Sequence, residues 1–199
     1  MCVDEKPDRT SRIVTVTLLL FAFAASVLSC ATAAAGQSDD RPGEYDVKAA
    51  FLFNFTKFVE WPDSAFDDAQ APIVIAIIGD DPFGDSLAGI IAGQKVQGRS
   101  IVVRERHFGE DLRHCQVLFI SASERKRSAE ILANVHDASV LTVSDIDGFA
   151  EAGGAIEFVL QEKRVRFVVN LDAAKQSKLH VSAKLLALAR VITHNQVAR

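Results

Sequence analysis

The run Ile73-Val74-Ile75-Ala76-Ile77-Ile78 constrains this chain more than any other stretch. It is apolar without a break, rich in β-branched residues, and bounded by Pro72 and Gly79. A strand with one wet face alternates apolar and polar residues, so an unbroken run needs cover on both faces. It predicts a central strand of a mostly parallel sheet flanked by helices. The turn behind it, Gly79-Asp80-Asp81-Pro82-Phe83-Gly84, holds two carboxylates, and a helix should follow over residues 83–92. In open α/β sheets ligands bind outside the carboxyl ends of the strands, which makes Asp80 and Asp81 candidate site residues.

The neighbouring segments repeat this rhythm. Strands are predicted at residues 100–104, 117–120 and 139–143, with a loop at 93–98 and a helix at 124–135 capped by Ser123. Apolar strand, polar turn and helix in alternation are the mark of βαβ units. Ahead of them, residues 45–61 read as a helix stopped by Pro62, because the residue before proline avoids the α region. Val47, Ala50, Phe51, Asn54, Phe58 and Trp61 form one stripe of it, and Leu52, Phe55 and Val59 a second. A helix apolar around most of its girth must be covered on two sides, by its own sheet and by a further surface or subunit.

The pattern changes after Gly153-Gly154. Residues 155–160 and 164–170 read as a hairpin turned at Gln161-Glu162-Lys163, an antiparallel addition at the edge of the sheet. On its return strand Val165, Phe167 and Val169 face one way, and Arg164, Arg166 and Asn170 the other. Glu157 is expected diagonally across from Arg166, within reach of an ion pair. A helical turn at 171–176 follows. Ser182 then caps a final helix whose apolar side is Leu185, Leu186, Leu188, Ala189 and Ile192. The whole reads as one α/β domain over residues 45–194: a Rossmann-like sandwich with flanking helices and a C-terminal hairpin at the edge.

Residues 1–35 have the layout of a secretory signal. Lys6, Arg9 and Arg12 precede an apolar run, and Ala31-Thr32-Ala33-Ala34-Ala35 supplies small residues for cleavage. Val27-Leu28-Ser29-Cys30 loosely resembles a lipoprotein signal, which leaves lipidation at Cys30 as the alternative. Residues 36–44 read as a flexible linker. Cleavage after Ala35 leaves Cys115 as the only cysteine, a small buried hydrophobe just ahead of an apolar strand. The charge is uneven. Residues 36–160 hold 11 Lys+Arg and 21 Asp+Glu, whereas residues 161–199 hold 8 and 2. A basic C-terminal part on an acidic body suits an anionic ligand, an acidic partner or pairing within the chain; nucleic acid is not expected.

Enzyme signatures are missing from the sequence. The turn at 79–84 has only the outer glycines of a dinucleotide fingerprint. There is no phosphate-loop Lys-Ser/Thr, no G-x-S-x-G, no H-E-x-x-H, and no metal-ligand spacing among the five histidines. Asp80-Asp81 suggests a phosphoacceptor receiver, but Ser121 stands where such a domain needs its aspartate. No cofactor, metal or catalytic residue is assigned.

Several segments resemble the YfiR/HmsC family of exported bacterial regulators. They are Val47 to Pro62, the turn at 79–84, Gly98-Arg99-Ser100-Ile101, Cys115-Gln116-Val117-Leu118-Phe119-Ile120, Val165-Arg166-Phe167-Val168-Val169-Asn170, and residues 179–189. The resemblance implies a periplasmic, dimeric α/β protein that restrains an inner-membrane diguanylate cyclase, lowering cyclic-di-GMP and biofilm formation. It also implies an outer-membrane lipoprotein that sequesters the repressor. Some members carry disulfides; here the residue expected to pair with Cys115 from the organising strand is replaced, at Ala76. The alternative function is a periplasmic small-molecule-binding module serving another membrane sensor. The candidate binding residues are Trp61, Asp80, Asp81, Arg99, Arg166 and Asn170, with Trp61, Arg166 and Asn170 expected to form one aromatic and cationic site. Mass spectrometry of the mature protein should find an unmodified N-terminus just after Ala33 or Ala35; an acylated Cys30 would overturn the soluble form.

Overall fold

The computed structural model describes residues 43–193; the cleavage site, Cys30 and most of the linker lie outside them. Helix α1 (Glu44–Phe58) leads into a two-residue strand β1 (Val59–Glu60). Then come β2 (Ile73–Ile78), α2 (Asp85–Ile91), β3 (Lys95–Val96), β4 (Arg99–Arg106) and β5 (Val117–Ile120). A 3-10 segment (Ala122–Arg127) runs into α3 (Ser128–Asn134), followed by β6 (Leu141–Ser144), β7 (Ile156–Gln161) and β8 (Arg164–Asn170). Helix α4 (Leu171–Gln176), β9 (His180–Val181), α5 (Ala183–Leu186) and β10 (Arg190–Ile192) complete the domain.

The main sheet has the order β10-β8-β7-β6-β5-β2-β4-β3 and is mostly parallel. Strand β2 lies inside it, Ile75 pairing with Val103 on one side and Val117 on the other. Its residues supply both layers of the core, as an unbroken apolar strand must. Ile73, Ile75 and Ile77 face the α1 side with Phe55, Phe119 and Phe167. Ala76 and Ile78 face the α3 side with Leu118, Ile131 and Phe149. On the α1 side Phe55 packs 5.7 Å from Phe158 and 5.3 Å from Phe167, ring centre to ring centre.

Several expectations are corrected. The buried stripe of α1 is Lys48, Ala49, Leu52, Phe55 and Thr56. Val47, Phe51, Phe58 and Trp61, from the other stripe, stay half-buried. The sheet has one side to offer, and the residues with the deepest reach into it set the helix rotation. Ser123 does not cap a helix: a 3-10 segment starts at Ala122 behind Ser121, and the Ser123 Oγ accepts from the Asp80 N–H at 2.9 Å. The loop at 93–98 contains β3.

The antiparallel β7–β8 hairpin lies toward one edge of the sheet, as expected, and the short β10 is added outside it, pairing with β8 in parallel, Val191 beside Val169. The expected long final helix is therefore only α5, capped by Ser182, and Ile192 belongs to a strand. Burial of Val168 against Ala150 and Ile192 explains this, since that side of β8 is apolar enough to need cover. Glu157 does not pair with Arg166. It is buried, opposite Val168, with its carboxylate accepting from Gly148 N–H at 3.1 Å and Ala150 N–H at 2.9 Å.

Cys115 is buried, and its Sγ lies 3.2 Å from the Leu112 carbonyl as donor. Ala76 lies opposite Leu118 in the same apolar layer. Burial pushes the thiol from 9.0 up to about 12. A pKa raised on folding gives stability that is intact below the unfolded value and lost as pH rises through the folded one. Full ionisation of this thiol in the native state would cost about 4 kcal/mol. Between pH 9 and 12, the urea midpoint of the wild type should therefore fall more steeply than that of Cys115→Ala; parallel slopes would refute the assignment.

Candidate functional site

The α/β rule points to the carboxyl ends of β2 and β5, and there the crevice is filled by the chain itself. Gly79 has φ +92°, and a Cβ on it would collide with Ser123 and Glu124. The 79–84 turn thus packs directly on the segment after β5, tied by the Asp80 bond to Ser123. Asp81 Oδ1 accepts from the Phe83 N–H at 2.7 Å, closing its own turn. Both carboxylates are exposed and stand on a packed turn.

The remaining sequence candidates are dispersed. Trp61 donates its indole N–H to the Gln116 carbonyl at 3.0 Å, at the amino end of β5. Arg99 stacks 3.8 Å above the Phe66 ring and donates to the carbonyls of Asp68 and Ala71, pinning the loop before β2. Asn170 caps α4, its Oδ1 accepting from Asp172 and Ala173 N–H, while its amide donates to the Ala150 carbonyl at 2.8 Å. Trp61 and Asn170 are thus spent on structure, in different parts of the fold. Arg166 stands apart from both, exposed opposite Val159.

Arg166 lines a groove of about 560 Å³ between α1 and the β7–β8 turn. One wall is Glu44, Val47 and Phe51; the other is Leu160, Lys163, Arg164, Val165 and Arg166. The turn is tight, Gln161 pairing with Arg164, and Glu162 and Lys163 both have positive φ (50° and 61°). Two such residues make the turn whose twist matches a hairpin, and they direct the cationic strand end beside the helix. Apolar side chains and basic residues both line this groove.

The helical wall is held by a buried cluster that sequence reasoning missed. Lys48 Nζ lies 2.7 Å from Asp145 Oδ2 and 2.6 Å from Glu44 Oε1, with the Lys48 and Asp145 side chains only 6% and 9% exposed. The Tyr45 hydroxyl donates to the same Asp145 oxygen at 2.9 Å. Burial alone would lower the Lys48 pKa, but its bonds to Asp145 and Glu44 outweigh that and raise it. Burial, then the bond to Asp145, raises Tyr45. Asp46 accepts from Ser86 and from Gly43 N–H, which lowers its pKa and ties α1 to α2. The signal was available: Lys48 shares a helical face with Leu52, Phe55 and Val59, and an ammonium on a buried face requires a buried partner.

Removing one side of this cluster should be costly. Asp145→Ala leaves Lys48 buried with only Glu44 and should lose about 3 kcal/mol of unfolding free energy. Arg166→Ala, at an exposed position, should change it by no more than about 0.5 kcal/mol. Urea titration of the two variants checks the contrast; equal midpoints would show that the cluster does not hold the fold.

No curated protein matches the chain. A crystal structure of a conserved domain protein from Vibrio cholerae O1 biovar El Tor str. N16961 has a TM-score of 0.47 and 12% identity. That match covers 75% of this chain and 60% of the other, so the chain spans less than two thirds of that protein's length. The YfiR/HmsC-like family pattern matches residues 45–190, nearly the full extent of the described domain from α1 to the start of β10. This chain belongs to the YfiR/HmsC-like family.

Proposed function

We propose that this protein is a periplasmic regulator, not an enzyme, that restrains an inner-membrane diguanylate cyclase and so lowers cyclic-di-GMP and biofilm formation. The family match over residues 45–190 carries this reading, since the family is a regulatory one. Among the described residues no helix is long and apolar enough to cross a membrane. The chain acts by protein contact, as a homodimer, and an outer-membrane lipoprotein relieves the restraint by sequestering it. The contact surface is the groove holding Arg166; Asp80 and Asp81 form a second exposed polar turn at the carboxyl end of the sheet.

A second reading, a small-molecule module feeding another membrane sensor, draws support from the groove volume, which falls in the range of ligand sites. The two separate in cells. Deletion of the gene should raise cyclic-di-GMP and surface attachment, with return to the starting level on complementation. Unchanged cyclic-di-GMP in a strain that also encodes a membrane diguanylate cyclase beside this gene would overturn the first reading. A metabolite that raises the thermal midpoint in proportion to RT ln(1 + [L]/Kd) in such a strain's protein would favour the second.

A further inference from the structure

We propose that a cavity at the amino ends of β2 and β5 binds a small zwitterion, one carboxylate and one ammonium on an aliphatic body. A ligand there suits both readings above and depends on neither.

The cavity follows from the register of the sheet and from a roof that is missing. Val74, Ala76 and Ile78 of β2 face the α3 side, and Val102, Arg104 and Arg106 stand beside them on β4. A crossover between parallel strands usually brings a helix over such a face. The connection from β4 to β5, residues 107–116, holds none. Its Leu112 and Cys115 pack in the layer of Ala76 and Ile78, while Val74 and Val102 stay half-buried and Arg104 is exposed. A cavity of about 260 Å³ opens there, between that connection and the loop at 61–72.

Two charges of opposite sign line it without meeting. Arg104 comes from β4 and Asp67 from the loop, and among the described residues neither makes a hydrogen bond, an ion pair or a ring contact. The other charged groups on the wall are engaged: Arg106 lies 3.6 Å from Glu110, and His114 lies 3.3 Å from Asp111. A simple anion in the cavity would face Asp67, and a simple cation would face Arg104. A ligand carrying both signs meets each with its opposite. The guanidinium grips a carboxylate with paired N–H donors, and the Asp67 carboxylate accepts from an ammonium.

Phe66, Ala71, Pro72 and Val74 supply an apolar wall for the body of the ligand. The wall is already fixed. The buried Gln116 side chain donates to the Ala65 carbonyl at 2.6 Å and accepts from the Val74 N–H at 2.8 Å. Arg99 holds the Asp68 and Ala71 carbonyls, and Trp61 holds the Gln116 carbonyl. The loop carrying Asp67 is thus tied on both sides, so little ordering cost opposes binding. The volume lies below the roughly 300 Å³ at which drug-sized sites begin, which suits a small metabolite.

The test uses the protein purified from cells expressing the full-length gene, with a C-terminal tag, and isothermal titration. The probes are L-leucine, whose two charges sit side by side, and ε-aminocaproate, whose charges sit at opposite ends. At least one should bind, and added salt should weaken it. Arg104→Gln and Asp67→Asn should each weaken binding at least tenfold. Both residues are exposed, so the thermal midpoint of the free protein should not move. Lys126→Gln, an exposed residue at the carboxyl end of β5, should leave the affinity unchanged. Counterparts lacking one charge, isocaproate and isoamylamine for leucine and caproate and pentylamine for ε-aminocaproate, should bind at least tenfold more weakly.

No saturable binding of either zwitterion would overturn the proposal. So would a single-charge counterpart that binds as tightly, or an affinity indifferent to both Arg104→Gln and Asp67→Asn. Sedimentation with phosphatidylethanolamine vesicles that Arg104→Gln abolishes, with no binding of the free probes, would assign the cavity to a lipid headgroup and equally overturn it. Cyclic-di-GMP in the deletion strain is measured independently, so failure of the cavity and failure of the regulatory reading are distinguishable.

Discussion

Two-sided burial of β2 is the constraint on which the rest of the structure depends. Ile75, Ala76, Ile77 and Ile78 are fully buried, with successive side chains entering opposite layers. Each layer must then be roofed. Helix α1 and the aromatic residues of β7 and β8 roof one; α3, Phe149 and the segment carrying Leu112 and Cys115 roof the other. The parallel neighbours β4 and β5 follow, because only flanking strands satisfy both backbone edges of a strand shut away from water.

The same demand produces the polar features. Once α1 is committed to the sheet, Lys48 is carried inside and needs the Asp145 carboxylate at the end of β6. Glu157 is enclosed likewise and is satisfied by two backbone N–H groups before β7. Its neighbour along the hairpin, Arg166, escapes this because β7 and β8 run past the ends of the parallel strands. Their far end stands beside α1 with no further element over it, and a groove results.

The local elements were legible in the sequence where one period dominated. The apolar runs of β2, β5 and β6, the alternating β8, and the turn at Glu162-Lys163 all declare themselves over a few residues. Helix α1 was legible as a helix but not in its rotation, because two apolar stripes compete and only the packed sheet selects between them. The proposed union of Trp61 with Arg166 and Asn170 rested on residue type. Their hydrogen bonds place Trp61 at the amino end of β5 and Asn170 over α4.

The sequence by itself determined the class of fold, the family, and the strand around which the layers form, since hydrophobic periodicity and local motifs act over neighbouring residues. Tertiary structure alone decided what lies beside what: β10 against β8, Lys48 against Asp145, and Phe51 against Phe167. Those contacts join residues tens of positions apart, and their energies come from desolvation and packing of whole surfaces, which no local pattern of residues specifies.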